Sequence, residues 1–198
     1  MFFWRTYMSL IFAKHVHEYF DYLISAYQYQ CIISSEECVR YENDDVFVSV
    51  RFDNGWSNEL DVEIGQKGVL FNGIERPFNL GEILRLKGAE KKEKYTSVQT
   101  SNQEYLIIAI KRIAEVLKRY AQDLLQGDQA AFLSLVSLRE RECEDYEIER
   151  ELTFVRNEAA KAWNKKDYKK IVQLYSSVEH YISQSEIKKL EYAKKHID

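Results

Sequence analysis

Between residues 46 and 64 apolar and polar positions alternate in two runs joined by Asp53-Asn54-Gly55-Trp56. Val46, Val48, Val50 and Phe52 share one face of the first run. In the second, Leu60, Val62 and Ile64 point one way and Glu59, Asp61 and Glu63 the other. A period of two predicts a half-buried antiparallel hairpin carrying three carboxylates on an exposed strand face.

Elsewhere the period is helical. From residue 8 to residue 27, Met8, Ile11, Phe12, Val16, Tyr19, Phe20, Leu23, Ile24 and Tyr27 trace the wide stripe of one amphipathic helix. A polar connection leads to the hairpin, and Val69-Leu70-Phe71 reads as a third strand. After Pro77, Asn79 with Glu82 forms a capping box and Phe78 with Ile83 a hydrophobic staple, which starts a short helix running to about Lys87. A charged loop then leads to a fourth strand over residues 95–100.

Past Ser101 the pattern is helical to the end. Ser101 with Glu104 forms a second capping box, Gly127 ends the first long helix, and Asp128 caps the next. Residues 128–165 contain neither Gly nor Pro, so they form one long helix or two with a bend, along a seam that includes Phe132, Val136, Cys143, Tyr146 and Val155. Asp167 caps a further helix, and Ser183 with Glu186 caps the last. The expected architecture is α+β: an N-terminal helix, a small antiparallel sheet of about four strands, and a helical C-terminal half. The domain division expected is an α+β domain over 1–126 and a helical extension over 127–198.

Composition supports a packed chain. Fourteen Tyr and ten Phe against one Pro and seven Gly, with 45% apolar residues in 198, argue against disorder. Charge is uneven beneath a net −4. Residues 36–63 hold nine carboxylates against Arg40 and Arg51, a balance of −7, whereas residues 161–195 hold nine Lys against four carboxylates, a balance of +5. Such a dipole points the acidic end toward a basic partner. Cys31, Cys38 and Cys143 show no C-x-x-C spacing, which is the pattern of a reduced cytoplasmic protein. The apolar start, Met1-Phe2-Phe3-Trp4 onward, is interrupted by Arg5 and is too short to span a bilayer, and Met8 is an alternative start.

Candidate chemistry is sparse. His15 and His17 stand on different faces of one helix, and no carboxylate–histidine cluster has metal-ligand spacing. Gly65-Gln66-Lys67-Gly68 lacks the Lys-Ser/Thr of a phosphate loop, and neither a dinucleotide fingerprint nor a Gly-x-Ser-x-Gly elbow occurs. No cofactor, metal, membrane or nucleic-acid partner is expected; the lysines around Trp163 and Tyr168 straddle a helix boundary rather than forming one stripe. The chain therefore reads as non-enzymatic, with a hydrolase or nuclease site assembled in space as the residual alternative. The surface that stands out is partner-binding: Glu59, Asp61 and Glu63, with Asp45 nearby and Trp56 as aromatic anchor. Its plain alternative is a solvated strand face with Arg51 as cross-strand counterion.

Two resemblances bear on this. Residues 158–179 resemble a single tetratricopeptide-type helical hairpin, with Ala159 and Ala162 at its small positions, Asp167-Tyr168 at its turn, Ile171-Val172, Tyr175 and Val178 along its second helix, and Lys166 where that motif has Gly. This implies a helical cap, or an interaction adaptor with Trp163, Tyr168 and Tyr175 lining a groove. The order Arg40-Tyr41-Glu42, then 46–52, 58–65 and Leu80-Gly81-Glu82-Ile83-Leu84 is similar to the immunity proteins of bacterial polymorphic toxin systems. That resemblance implies a protein that neutralises a basic toxin domain by tight binding.

Overall fold

The computed structural model describes residues 2–197, with the backbone alone for residues 2–10. The class is α+β: N-terminal helices, an antiparallel sheet and a helical C-terminal half. The chain divides into two compact units, Met1–Leu138 and Arg139–Asp198, each with its own hydrophobic core.

The first unit opens with α1 (Phe2–Tyr19) and α2 (Asp21–Tyr27). The apolar period predicts one helix across both, but the helix breaks at Phe20, whose backbone sits at φ −98°, ψ 8°. Its ring is fully buried and stacks near Tyr22, so packing of this side chain overrides continuation of the helix. Met8, counted in the predicted stripe, lies outside the residues whose side chains are described.

Two strands follow where the sequence reads as connection: β1 (Gln30–Ser34) and β2 (Cys38–Glu42). β1 is exposed at every position, so it carries no alternation of burial. β2 alternates, with Val39 and Tyr41 buried, but its other face is charged and short. Then come β3 (Val46–Phe52) and β4 (Glu59–Gln66), the hairpin that the period of two predicts. Val48 faces Ile64, Val50 faces Val62 and Phe52 faces Leu60 across the pair.

The predicted third strand becomes β5 (Leu70–Phe71), which pairs with β6 (Ile74–Glu75) in a hairpin outside the main sheet. β7 (Phe78–Asn79) rejoins the sheet beside β4 and runs into α3 (Leu80–Leu86). The capping box is formed: Asn79 Oδ1 accepts from the Glu82 amide and Glu82 Oε2 from the Asn79 amide, at 3.0 and 2.9 Å. α4 (Glu90–Glu93) and β8 (Val98–Gln99) follow, and β8 also pairs with β4. The main sheet therefore runs β1-β2-β3-β4-β7, with β8 on β4 beside it.

Next come α5 (Gln103–Tyr120) and the short α6 (Gln122–Leu125). The Ser101–Glu104 box is not the cap. Asn102 takes that place, its Oδ1 accepting from the Tyr105 amide at 2.9 Å, and Thr100 Oγ1 accepts from the Asn102 amide. Gly127 ends α6 at φ 79°, where an L side chain would be strained, and Asp128 Oδ1 caps the next helix at 2.8 Å from the Ala130 amide. That helix, α7 (Gln129–Asn164), is continuous. Its apolar seam is not: Phe132 and Leu135 join the first core and Leu152, Val155 and Ala159 the second, while Val136, Cys143 and Tyr146 between them are exposed.

In the second unit, the end of α7 packs with α8 (Tyr168–Ser176) and α9 (Gln184–Lys194). Lys166 adopts φ 56° at the turn position where the hairpin motif has Gly, and Asp167 caps α8 through the Lys170 amide at 3.0 Å. The Ser183–Glu186 box is formed. Arg156 binds Glu186 at 2.8 Å and, with the Ser183 bonds, holds its carboxyl down to about 2. Tyr175 is buried, and Trp163 and Tyr168 pack on Tyr192 and His196, with ring centroids 5.6–6.1 Å apart for the pairs these two make with them and with each other. Trp163 and Tyr168 are half-buried in this cluster, while Tyr192 is 45% exposed.

β3 is buried on both faces. Val46, Val48, Val50 and Phe52 meet the helices; on the opposite face Phe47 is 2% exposed, with the Arg40 guanidinium 3.8 Å above its ring centroid. Gly65 lies opposite Phe47 in the register, and a Cβ built there would sit 2.6 Å from Phe47 Cζ. Gly65→Ala is therefore expected to cost about 1–3 kcal/mol by overpacking. Urea unfolding should show this loss, and the Gly65→Ala, Phe47→Leu double variant should lose less than the sum of its parts.

Candidate functional site

The connection between β3 and β4, residues 53–58, is a tight and internally bonded loop. Asp53 Oδ2 accepts from the Ser57 hydroxyl at 2.8 Å and from the Ser57 amide at 3.2 Å. Asn58 Oδ1 accepts from the Gly55 amide, and the Asn58 amide returns to the Asp53 carbonyl at 2.9 Å. Gly55 at φ 108° and Asn58 at φ 52° supply the backbone reversals. Asn58 also accepts from the Thr100 amide through its carbonyl, tying the loop to the chain after β8. At the tip of this fixed scaffold Trp56 is 90% exposed, more than any other large hydrophobic among the described residues.

The carboxylate row lies on the sheet face away from the helices, as alternation predicts, but it is half-buried rather than open. β4 has neighbours on both sides, because β7 and β8 pair with it opposite β3. Each carboxylate consequently has a distinct environment. Glu59 accepts from the Ser97 hydroxyl just before β8. Glu63 meets Arg51 at 3.3 Å. Arg51 faces Asp61 in the register, yet its guanidinium reaches diagonally to Glu63 instead.

Asp61 keeps one bond, from the Val62 amide at 2.8 Å. Burial, reinforced by the charges of Glu63, Glu59 and Glu82, pushes its carboxyl up to about 6. The same surroundings act on Tyr95: burial first, then the Asp61 and Glu59 charges, push its phenol up to about 12. At neutral pH the row is thus a partly desolvated line of like charge with Arg51 as a counterion, not a freely hydrated face.

Asp45 does not belong to this group. It is exposed in the turn before β3, where its carbonyl accepts from the Lys67 amide at 2.8 Å. The seven residues of β3 separate it from the Trp56 loop, a distance on the order of 23 Å. The acidic neighbours that the fold does bring to the Trp56 end are Glu36 and Glu37, both exposed in the β1–β2 turn. The Glu37 carbonyl accepts from the Phe52 amide at 2.9 Å, which fixes that turn beside the start of the loop. Sequence reasoning counts these two in the acidic segment but has no signal for their position, because it depends on the pairing of β2 with β3.

Among the described residues no three His, Cys, Asp or Glu side chains gather in a way that would hold a metal ion. No described helix is long and apolar enough to cross a membrane.

The protonation of Asp61 has a measurable sign. Its folded value lies above the ordinary carboxylate value of about 3.9, so the folded state holds the extra proton between those limits and stability falls as pH rises from about 4 to about 6. Asp61→Asn, which keeps the acceptor for Val62, is expected to be as stable as wild type near pH 4 and more stable, on the order of 2 kcal/mol, above about pH 7. Urea unfolding across that range measures the difference.

Comparison with known proteins finds no family model that matches this chain, no matching curated protein and no matching solved structure. The functional reading therefore rests on the geometry above.

Proposed function

We propose that this protein acts by binding another protein, with Trp56 as the anchor and a basic surface as its complement. The observation that carries this reading is an indole 90% exposed on a loop whose own hydrogen bonds hold it in place. An apolar ring of that size left in water is unfavourable for a monomer, and a rigid loop has little conformational entropy to lose when the ring is covered. Tryptophan in such a setting is a common source of interface hot spots.

The partner's charge follows from the surroundings. Glu36 and Glu37 are exposed at the same end of the sheet, and Asp53 lies in the loop itself. Rim carboxylates of this kind accelerate encounter with a cationic surface and suppress acidic competitors. The strand row contributes field from behind rather than direct contacts, since Glu59 and Glu63 already have partners. An immunity-type role, in which a basic toxin domain is neutralised by tight binding, is the form of this reading that the sequence resemblance implies.

Trp56→Ala is expected to leave the unfolding midpoint unchanged and to weaken the partner by about 2 kcal/mol or more, roughly thirtyfold in Kd. Capture from the source organism's lysate on wild type, on Trp56→Ala and on a Glu36→Lys, Glu37→Lys variant identifies the partner, and titration of the purified partner measures the effect. A partner held equally by all three proteins would show that this end of the sheet is not the interface. The strand carboxylates are poor targets for the same test, because their reversal to Lys would disturb a half-buried layer.

A further inference from the structure

We propose that Ser34 is the nucleophile of an acyl-transfer site at the open edge of the sheet, with His17 as its base, acting on carboxylic esters. The site is separate from the protein-binding reading and does not depend on it. Three side chains from three segments form it. His17 lies near the C-terminal end of α1, Ser34 ends β1, and Tyr41 is on β2. His17 Nε2 is 2.8 Å from Ser34 Oγ, and His17 Nδ1 is 3.0 Å from the Tyr41 hydroxyl. This is the arrangement that nucleophilic catalysis needs: a hydroxyl on a base, and the base oriented from its other nitrogen by a third group.

The three members differ in burial as those roles require. Ser34 is exposed, His17 is half-buried and Tyr41 is fully buried, its ring edge-on to the imidazole at 6.0 Å between centroids. Burial, with the nearby Cys31 and Asp21, pushes the Tyr41 phenol up, so it stays neutral. The reaction uses the tautomer with its proton on Nδ1, in which the phenol oxygen accepts and Nε2 is left to accept from the Ser34 hydroxyl. Tyr41 acts through His17 and is a positioning residue.

The edge supplies the remaining parts. β1 ends the sheet, with β2 on one side only. The Ser35 amide donates to the Cys38 carbonyl at 2.9 Å, and antiparallel ladders alternate, so the Ser34 N–H one residue earlier points away from β2. That outward N–H is a donor for the oxyanion that forms when Ser34 attacks a carbonyl.

The reaction balances with water as co-reactant. Ser34 Oγ bonds to the ester carbonyl carbon as its proton passes to His17 Nε2. The ester C–O bond breaks, and the alcohol leaves with that proton. Water then attacks the acyl-serine, giving one proton to His17 and the carboxylic acid as product, and His17 returns the proton to Ser34 Oγ.

The probe is an alkyl fluorophosphonate, on which Ser34 Oγ displaces fluoride, with p-nitrophenyl butyrate as substrate for the folded full-length protein. Mass spectrometry should place the phosphonyl group on Ser34, and Ser34→Ala, at an exposed position, should abolish both labelling and turnover. His17→Gln should slow both by about 100-fold or more. Tyr41→Phe should lower the limiting rate without moving the half-saturating concentration, a split that loss of packing alone would not produce. Folded wild type left unlabelled at Ser34, a label carried by another residue instead, or equal labelling of His17→Gln would overturn the assignment.

Discussion

The first unit depends on covering both faces of β3. One face meets the helices through Val46, Val48, Val50 and Phe52, an ordinary apolar packing. The other cannot be left to water, because Phe47 lies on it. The chain covers that ring with a cation rather than a second helix layer. Arg40 lies 3.8 Å over it and is itself held by Glu75 through two bonds of 2.6 and 2.8 Å and by Glu42 at 2.7 Å. Glu75 belongs to the β5–β6 hairpin, so the same bidentate pair that seats the guanidinium also fastens that hairpin to the sheet. The guanidinium in turn holds the Glu75 carboxyl below the usual carboxylate range.

A polar layer on the outer face follows from that solution. Ser49, between Phe47 and Arg51 on β3, is fully buried, and its hydroxyl finds no hydrogen-bond partner among the described residues. Farther along the face stand Arg51, Asp61 and Glu63, with the buried Glu82 close enough to act on Asp61. Three carboxylates placed on one strand by a period of two are therefore not equivalent. Glu59 is bonded to a hydroxyl, Glu63 to a guanidinium, and Asp61 is left to burial. Their field reaches the surface, but their side chains are largely engaged in the layer.

What does face water at this end of the sheet is set by strand register. The β1–β2 turn and the β3–β4 loop lie side by side because Cys38 pairs with Arg51 and the Phe52 amide reaches the Glu37 carbonyl. Trp56, Glu36, Glu37 and the Ser34–His17 pair thus occupy one end of the same sheet, on different strands. The far end holds Asp45 and the turn that Lys67 closes, through its amide on the Asp45 carbonyl and its ammonium on Asn43. The binding proposed for Trp56 and the acyl transfer proposed for Ser34 rest on different physics, and the fold keeps the two sets of residues on separate elements.

Much of this architecture was legible in the chain. Local signals that act within a few residues succeeded: the alternation of β3 and β4, the boxes at Asn79 and Ser183, the turn at Gly127-Asp128, and Asp167 as a cap. They succeeded because a cap or a pleat is decided by neighbours in sequence, whatever lies beyond. The failures share the opposite cause. β1 and β2 are strands only because β3 offers a partner, and the break at Phe20 and the exposed middle of α7 reflect what packs there and what does not. The row Glu59, Asp61, Glu63 was visible, but its burial comes from β7, β8 and Ser97, which arrive from later in the chain. Likewise His17 lies 17 residues from Ser34 and 24 from Tyr41, and the three come within hydrogen-bond distance only once a helix end is laid across a sheet edge. The sequence by itself determined which segments could be helix or strand and which face of each was apolar, since those follow from period and capping chemistry. Tertiary structure alone decided which polar groups were desolvated, paired or brought within bonding reach, because such energies depend on neighbours through space.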